Sequence, residues 1–211
     1  MKILYSALLL TLLVSCNQQQ IYVPQADVSL VTNVRDYSTI AFLYEIKNDS
    51  VMIDVKDKTI ITQTNWLYEI DKRLPLHLIF PEVQRLQAKK LKKAKEEQMP
   101  SYYTYMDTVA KAIAYLPVAQ LDYNDNQAGL KADDTSVNLK VNAQAELFLN
   151  DEAITSKDLN SKLATFSPNQ VITLYLEFDK NLSFEKYVQT KLQLAKITLP
   201  NVRLATTEVM Y

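Results

Sequence analysis

Across "VITLYLEF", residues 171–178, apolar and polar positions alternate. Ile172, Leu174, Leu176 and Phe178 fall on one side of an extended segment and Tyr175 and Glu177 on the other, a period of two that predicts a strand. Before it, Leu159, Leu163 and Phe166 recur at i, i+4 and i+7, which predicts a helix ended by Pro168 and Asn169. Thr155 stands three residues ahead of Asp158, the spacing of a capping box at the helix start. Further upstream, Leu147 and Leu149 alternate with Glu146 and Phe148 until the turn-forming "NDEA" ends a short strand near Asn150. Downstream, "DKNLS" turns the chain and Ser183 can cap a second helix with the stripe Phe184, Tyr187, Val188, Leu192 and Ala195. Pro200 introduces a last strand at "NVRLAT". The order is β-α-β-α-β.

Similar grammar occurs earlier. "VMIDVKDKTIITQTNWLYEIDKRLPLHLIF" reads as a strand, a turn, a helix with Leu67, Ile70 and Leu74 in a stripe, and a strand carrying Leu76, Leu78 and Phe80. On that reading Asp57-Lys58-Thr59-Ile60 aligns with Asp151-Glu152-Ala153-Ile154. The helix expected from near Tyr102 then aligns with the second one, the segment from Tyr105 against that from Tyr187, and Leu116-Pro117 against Leu199-Pro200. The expectation is two tandem β-α-β-α-β units of mixed α/β class, at 38–123 and 138–211, joined by a linker at 124–137. Between them only the first carries a charged helical insertion, 81–100, with Pro81 at a first helical position. Its lysines and Arg85 suit a solvated helix, with anionic lipid headgroups as the alternative.

The N-terminus follows a different pattern. Lys2 precedes an apolar run from Ile3 to Val14, then Ser15 and Cys16, the single cysteine. The run falls short of the about 20 apolar residues that span a bilayer and has the length of a signal-peptide core. It resembles a bacterial lipoprotein signal, with Leu-Val-Ser-Cys cut before Cys16 and that cysteine acylated, palmitate included. Residues 1–15 are then a signal peptide and 16–37 a lipidated, extended tether facing the periplasm. Asn17, where an Asp would favour inner-membrane retention, points to the outer membrane.

Charge and composition narrow the chemistry. Lys plus Arg number 23 and Asp plus Glu 24, so a net charge of -1 gives no reason to expect a nucleic-acid partner. With Gly129 the single glycine, phosphate-cradling loops and the nucleophile elbow of serine hydrolases are excluded. His77 is the one histidine, placed opposite the Leu76/Leu78/Phe80 face of a strand, and a lone histidine makes a poor metal site. Asp151, Glu152 and Asp158 sit at a turn and in a first helical turn, where carboxylates serve as scaffold rather than as an acid/base set. Tyr102, Tyr103 and Tyr105 open the helix expected there, with Tyr102, Met106 and Val109 on its core stripe; packing is preferred over glycan stacking. Trp66 reads as core or half-buried. No catalytic, cofactor or metal residue is expected, and the single site residue is the lipid-bearing Cys16.

Residues 138–211 resemble the periplasmic domain of the ExbD/TolR family. The resemblance rests on Ile154, Leu159, Leu163, Val171, Leu174, Asp179, Lys180, Tyr187, Val188, Leu194, Ile197, Val202, Leu204, Ala205 and Thr206. It implies a docking or dimerisation module related to proton-driven biopolymer transport, with ExbB/TolQ-type motor subunits or peptidoglycan as partners. The family's transmembrane proton-coupling aspartate has no counterpart in the apolar run from Ile3 to Ser15. The resemblance therefore implies an accessory lipoprotein, with a free-standing binder of peptidoglycan or another envelope ligand as the alternative. Family members dimerise through this domain, so two tandem copies would place a pseudo-dimer in one chain.

Overall fold

The computed structural model describes residues 20–93, 99–122, 135–166, 170–197 and 199–211. The elements in order are β1 (Gln25–Ala26), β2 (Tyr37–Lys47), β3 (Ser50–Lys56), β4 (Asn65–Ile70), α1 (Leu76–Lys93), β5 (Ser101–Asp107), β6 (Ala112–Pro117) and β7 (Gln120–Asp122). They continue with β8 (Ser136–Val141), β9 (Leu147–Leu149), β10 (Glu152–Ile154), α2 (Leu159–Phe166), β11 (Ile172–Phe178), α3 (Phe184–Leu194) and β12 (Val202–Met210). The fold is mixed α/β, with two mixed sheets and few helices.

Both sheets contain the same four-strand arrangement. In the first, β3, β2, β4 and β5 lie side by side; in the second, β9, β8, β11 and β12 do. Within each set the first pair is antiparallel and the next two are parallel. The edges differ. β6 returns antiparallel on β5, whereas β7 runs parallel to β12, and β10 extends the second sheet beyond β9. Tight turns are made almost without glycine, because Asn48-Asp49 and Asn150-Asp151 take positive φ in the two-residue hairpins β2–β3 and β9–β10.

The second half follows its sequence pattern closely. Leu159 and Leu163 are buried on α2, Ile172, Leu174, Leu176 and Phe178 are buried along β11, and Ser183 caps α3. Phe166, at the end of the α2 stripe, is 40% exposed. Glu152–Ile154, expected as a turn, pairs back on β9 as a strand, and β8 starts at Ser136.

The first half departs from expectation. Asn65–Ile70, expected in a helix, is a strand flanked on both sides, and Trp66, Leu67, Tyr68 and Ile70 are all buried. A central parallel strand covered on both faces reads as a continuous apolar run, and such a run satisfies helical spacing by accident. Residues 76–80, expected as a strand, open α1, so His77 lies on the first turn of a helix. The helix expected as an insertion at 81–100 begins five residues earlier, at Leu76, and Pro81 lies inside it. It is no insertion: Leu76, Ile79, Phe80, Val83 and Leu86 pack into the core as α3 does in the other half. The segment from Tyr102 is the β5–β6 hairpin, turned at Thr108–Lys111, so Tyr103 and Tyr105 are fully buried while Val109 is 74% exposed. The proposed register of the repeat therefore fails, because it set Tyr105 on a strand against Tyr187 on a helix.

The tether expected over 16–37 is folded from its first described residues: Pro24 is buried and β1 pairs with β5. The signal peptide at 1–15, Cys16, Pro168 and Asn169, and most of the 124–137 linker lie outside the described residues.

Candidate interaction site

Where the two halves meet, two turns of similar sequence face each other: Asp71-Lys72-Arg73-Leu74-Pro75 and Asp179-Lys180-Asn181-Leu182-Ser183. Each supplies carbonyls to the orphan amides at the start of the other half's helix. Leu76 N and His77 N donate to Leu182 O (3.0 Å) and Lys180 O (2.9 Å). In return Phe184 N and Glu185 N donate to Leu74 O (2.9 Å) and Lys72 O (3.1 Å). Pro75 and Ser183 form an antiparallel bridge at the centre. Helix N-termini leave such amides unpaired, and here each half caps the other. Residue i meets j and j's counterpart meets i's, the self-complementary pattern of a two-fold interface.

Behind the turns lies an aromatic core. The Tyr187 ring centre is 4.9 Å from that of Phe178, 5.5 Å from Phe80, 5.8 Å from Tyr103 and 5.9 Å from Phe184. These rings come from β11, α1, β5 and α3, so both sheets and both long helices share one core. Tyr187 also donates its hydroxyl to Glu208 Oε2 at 2.6 Å, and Lys191 pairs with the same fully buried carboxylate. Burial, then the Glu208 charge, pushes the Tyr187 hydroxyl well above its ordinary pKa, and Tyr103 shifts the same way for the same reasons. These phenols therefore stay neutral rather than acting as bases.

The chain from Gln20 to Val31 straps this junction. Tyr22 N donates to Asp71 Oδ2 (3.3 Å), Lys72 N to Tyr22 O (2.7 Å) and Met106 N to Pro24 O (2.9 Å). Gln189 Nε2 on α3 reaches Gln25 O at 2.9 Å, and Ser29 Oγ donates to the buried Asp107 at 2.5 Å. Asp71 is itself gripped by Arg73 through two bonds of 2.8 Å. Burial opposes ionisation of Asp71, but the Arg73 bonds and the Tyr22 amide outweigh it and lower its pKa.

Beside the strap, grooves of about 380, 320 and 330 Å³ run along α3 and meet at Gln193. The amides and hydroxyls of Gln189, Thr190, Ser156 and Asn160 line them together with the charged Asp27, Lys157, Lys186 and Lys196. Such a surface offers donors, acceptors and charges to a polar ligand.

The acids singled out from sequence do not converge here. Asp151 pairs with Lys140 (2.8 Å), Glu152 with Lys162 (2.6 Å), and Asp158 accepts the Thr155 hydroxyl (2.6 Å). His77 is exposed, with Nδ1 3.1 Å from Lys180 O. Among the described residues no group of three metal-ligating side chains comes together, and no helix is long and apolar enough to cross a membrane. Sequence reasoning missed Glu208 and Lys191, whose meeting depends on how α3 crosses β12. It also missed Lys90, buried against the Trp66 ring at 4.7 Å and donating to Pro100 O and Ser101 Oγ at 3.1 and 3.3 Å. Burial lowers the Lys90 pKa to about 8.

The family model described as "Biopolymer transport protein ExbD/TolR" matches residues 106–209, from the end of β5 through β12. Residues 106–209 are thus similar to the ExbD/TolR family. A curated relative, the "Biopolymer transport protein ExbD" of Mannheimia haemolytica, is 34% identical over 77 residues, 36% of this chain and 52% of that protein. The chain thus spans about half the length of the curated relative it matches. The matched segment contributes α3, its capping turn and the Tyr187–Glu208–Lys191 network to the junction.

Proposed function

We propose that this protein is a non-enzymatic accessory of ExbD/TolR-type biopolymer transport, a docking module held in the cell envelope by an acylated Cys16. The match over residues 106–209 carries the reading. The two halves are duplicated units standing in for the two protomers of a dimer, a reading supported by their common strand order and their reciprocal capping turns. The anchor sits close to the body. Gln20, the first described residue, follows Cys16 by so few positions that the intervening chain reaches about 14 Å at full extension. The folded body therefore stays close to its own membrane, periplasm-facing and by Asn17 the outer one.

The test is in-cell crosslinking of the full, natively acylated chain from positions on the exposed side of residues 138–211, with captured proteins identified by mass spectrometry. Capture of an ExbB/TolQ-type subunit is the expected result. Recovery of cell-wall fragments alone would instead favour a free-standing ligand binder, the reading suited to the polar grooves along α3.

A further inference from the structure

Each sheet carries a glutamate at a matching place just before its capping turn: Glu69 ahead of Ile70-Asp71-Lys72, and Glu177 ahead of Phe178-Asp179-Lys180. Their neighbours Tyr68 and Ile70, or Leu176 and Phe178, are fully buried on the helix side, so alternation turns both acids to the outer face. Glu177 stands in register with Lys140 on β8. Glu69 stands in register with Ala41 on β2, which has a methyl group where the other sheet has an ammonium.

Among the described residues no cation or hydrogen-bond donor reaches Glu69. Lys56, in the same row but one strand further, is held by Asp54 at 2.5 Å. What surrounds the acid is aromatic and apolar. Tyr102 and Tyr115 meet edge to face at 6.4 Å on this face, with Tyr37 (53% exposed) and Ile113 (40% exposed) sharing it by register. Burial first, then Tyr37 and Glu69, raise the Tyr115 pKa, which puts these groups within electrostatic reach of one another. Burial alone raises that of Glu69.

A half-buried carboxylate beside tyrosine rings is complementary to a lysine or arginine head, which gains from the charge and from the ring faces. Tyr37 and Ile113 leave this face exposed at its margins while Leu67 and Thr104 on it are buried, and the grooves described above lie along α3, so an extended protein surface fits it better than an enclosed small molecule. We propose that the outer face of the first sheet docks a protein partner through a lysine or arginine side chain that lies over Tyr102 and Tyr115 and pairs with Glu69. The proposal rests on the first sheet alone and stands or falls apart from the transport reading.

The test is a titration of the full ¹⁵N-labelled chain with acetyl-Leu-Arg-Leu-amide, and with the same peptide carrying uncharged citrulline for arginine. Saturable shifts of amides in β4, β5 and β6 are expected, with citrulline weaker by at least about ten-fold. Glu69→Gln, of equal size, should weaken the arginine peptide to the same degree, whereas Glu177→Gln should leave it unchanged. Equal binding of both peptides, shifts centred on α3, indifference to Glu69→Gln, or no saturable shift would each overturn the proposal. So would phosphatidylethanolamine vesicles that bind this face in a Glu69-dependent way and displace the peptide, since the cation would then be a lipid amine.

Discussion

The two halves share a turn and four strands, yet what lies behind the turn differs. Counting along each helix from the shared turn, α3 carries Tyr187 and Lys191 where α1 carries Ile79 and Val83, both fully buried. One backbone plan is thus closed by a dry apolar face in the first half and by a buried hydrogen-bonded charge in the second. Apolar packing is tolerant of register, whereas a buried ion pair is costly in any arrangement that separates its members. The pair in the second half can therefore fix the angle at which α3 sits on β12, while α1 is held by shape and by its longer reach to Lys93.

The largest expected effect follows from that contrast. Lys191→Met leaves Glu208 buried without its counter-charge and should cost about 3–5 kcal/mol, read from the urea midpoint. Changing Glu208→Met as well should recover most of it, because the stranded charge is gone. A single variant that loses less than about 1 kcal/mol would mean that the pair behaves as an exposed one, and the comparison would collapse.

The turns themselves provide the next test. Asp71 is 1% exposed and doubly bonded to Arg73, while Asp179 is half-buried and accepts the Asn181 amide at 2.7 Å. Asp71→Asn should cost about 1–3 kcal/mol at neutral pH, and Asp179→Asn less than about 0.5. The sign with pH is fixed by the lowered pKa of Asp71. Its contribution is present above the ordinary value of 3.8 and is lost as the pH falls through the folded-state value. The gap between wild type and Asp71→Asn should therefore narrow in unfolding curves recorded in acid; a gap that widens would contradict the Arg73 pairing.

The difference between the halves also explains what could be read from sequence. In the second, β11 alternates polar and apolar residues and α3 has a serine cap, so local pattern and tertiary structure agree. In the first, Asn65–Ile70 is buried on both faces and loses its alternation, and Tyr102, Met106 and Val109 mimic a helical stripe in a hairpin. The β-forming run of tyrosine and threonine in Ser101–Tyr105 was the signal that should have outweighed that spacing. The correct register of the two halves was also present, in Asp71-Lys72-Arg73-Leu74 against Asp179-Lys180-Asn181-Leu182. The junction was out of reach for another reason: Tyr103, Tyr187, Lys191 and Glu208 meet only once two sheets and two helices have closed on them.

The smallest expected effect asks whether the interlock resides in backbone or side chains. Ser183 Oγ accepts the Lys186 amide at 3.4 Å, a long cap, so Ser183→Ala should cost about 0.5–1 kcal/mol. Pro75→Ala should cost about 0.4–1 kcal/mol by freeing the unfolded chain rather than by breaking a contact. Although these residues face each other across the central bridge, the exchanged bonds around them join backbone amides and carbonyls that both substitutions leave in place. The double variant should therefore be additive to within about 0.5 kcal/mol. A larger coupling in a double-mutant cycle would show that the two side chains hold the halves together. The self-complementarity would then belong to this particular pair of residues rather than to the turn geometry that both halves share.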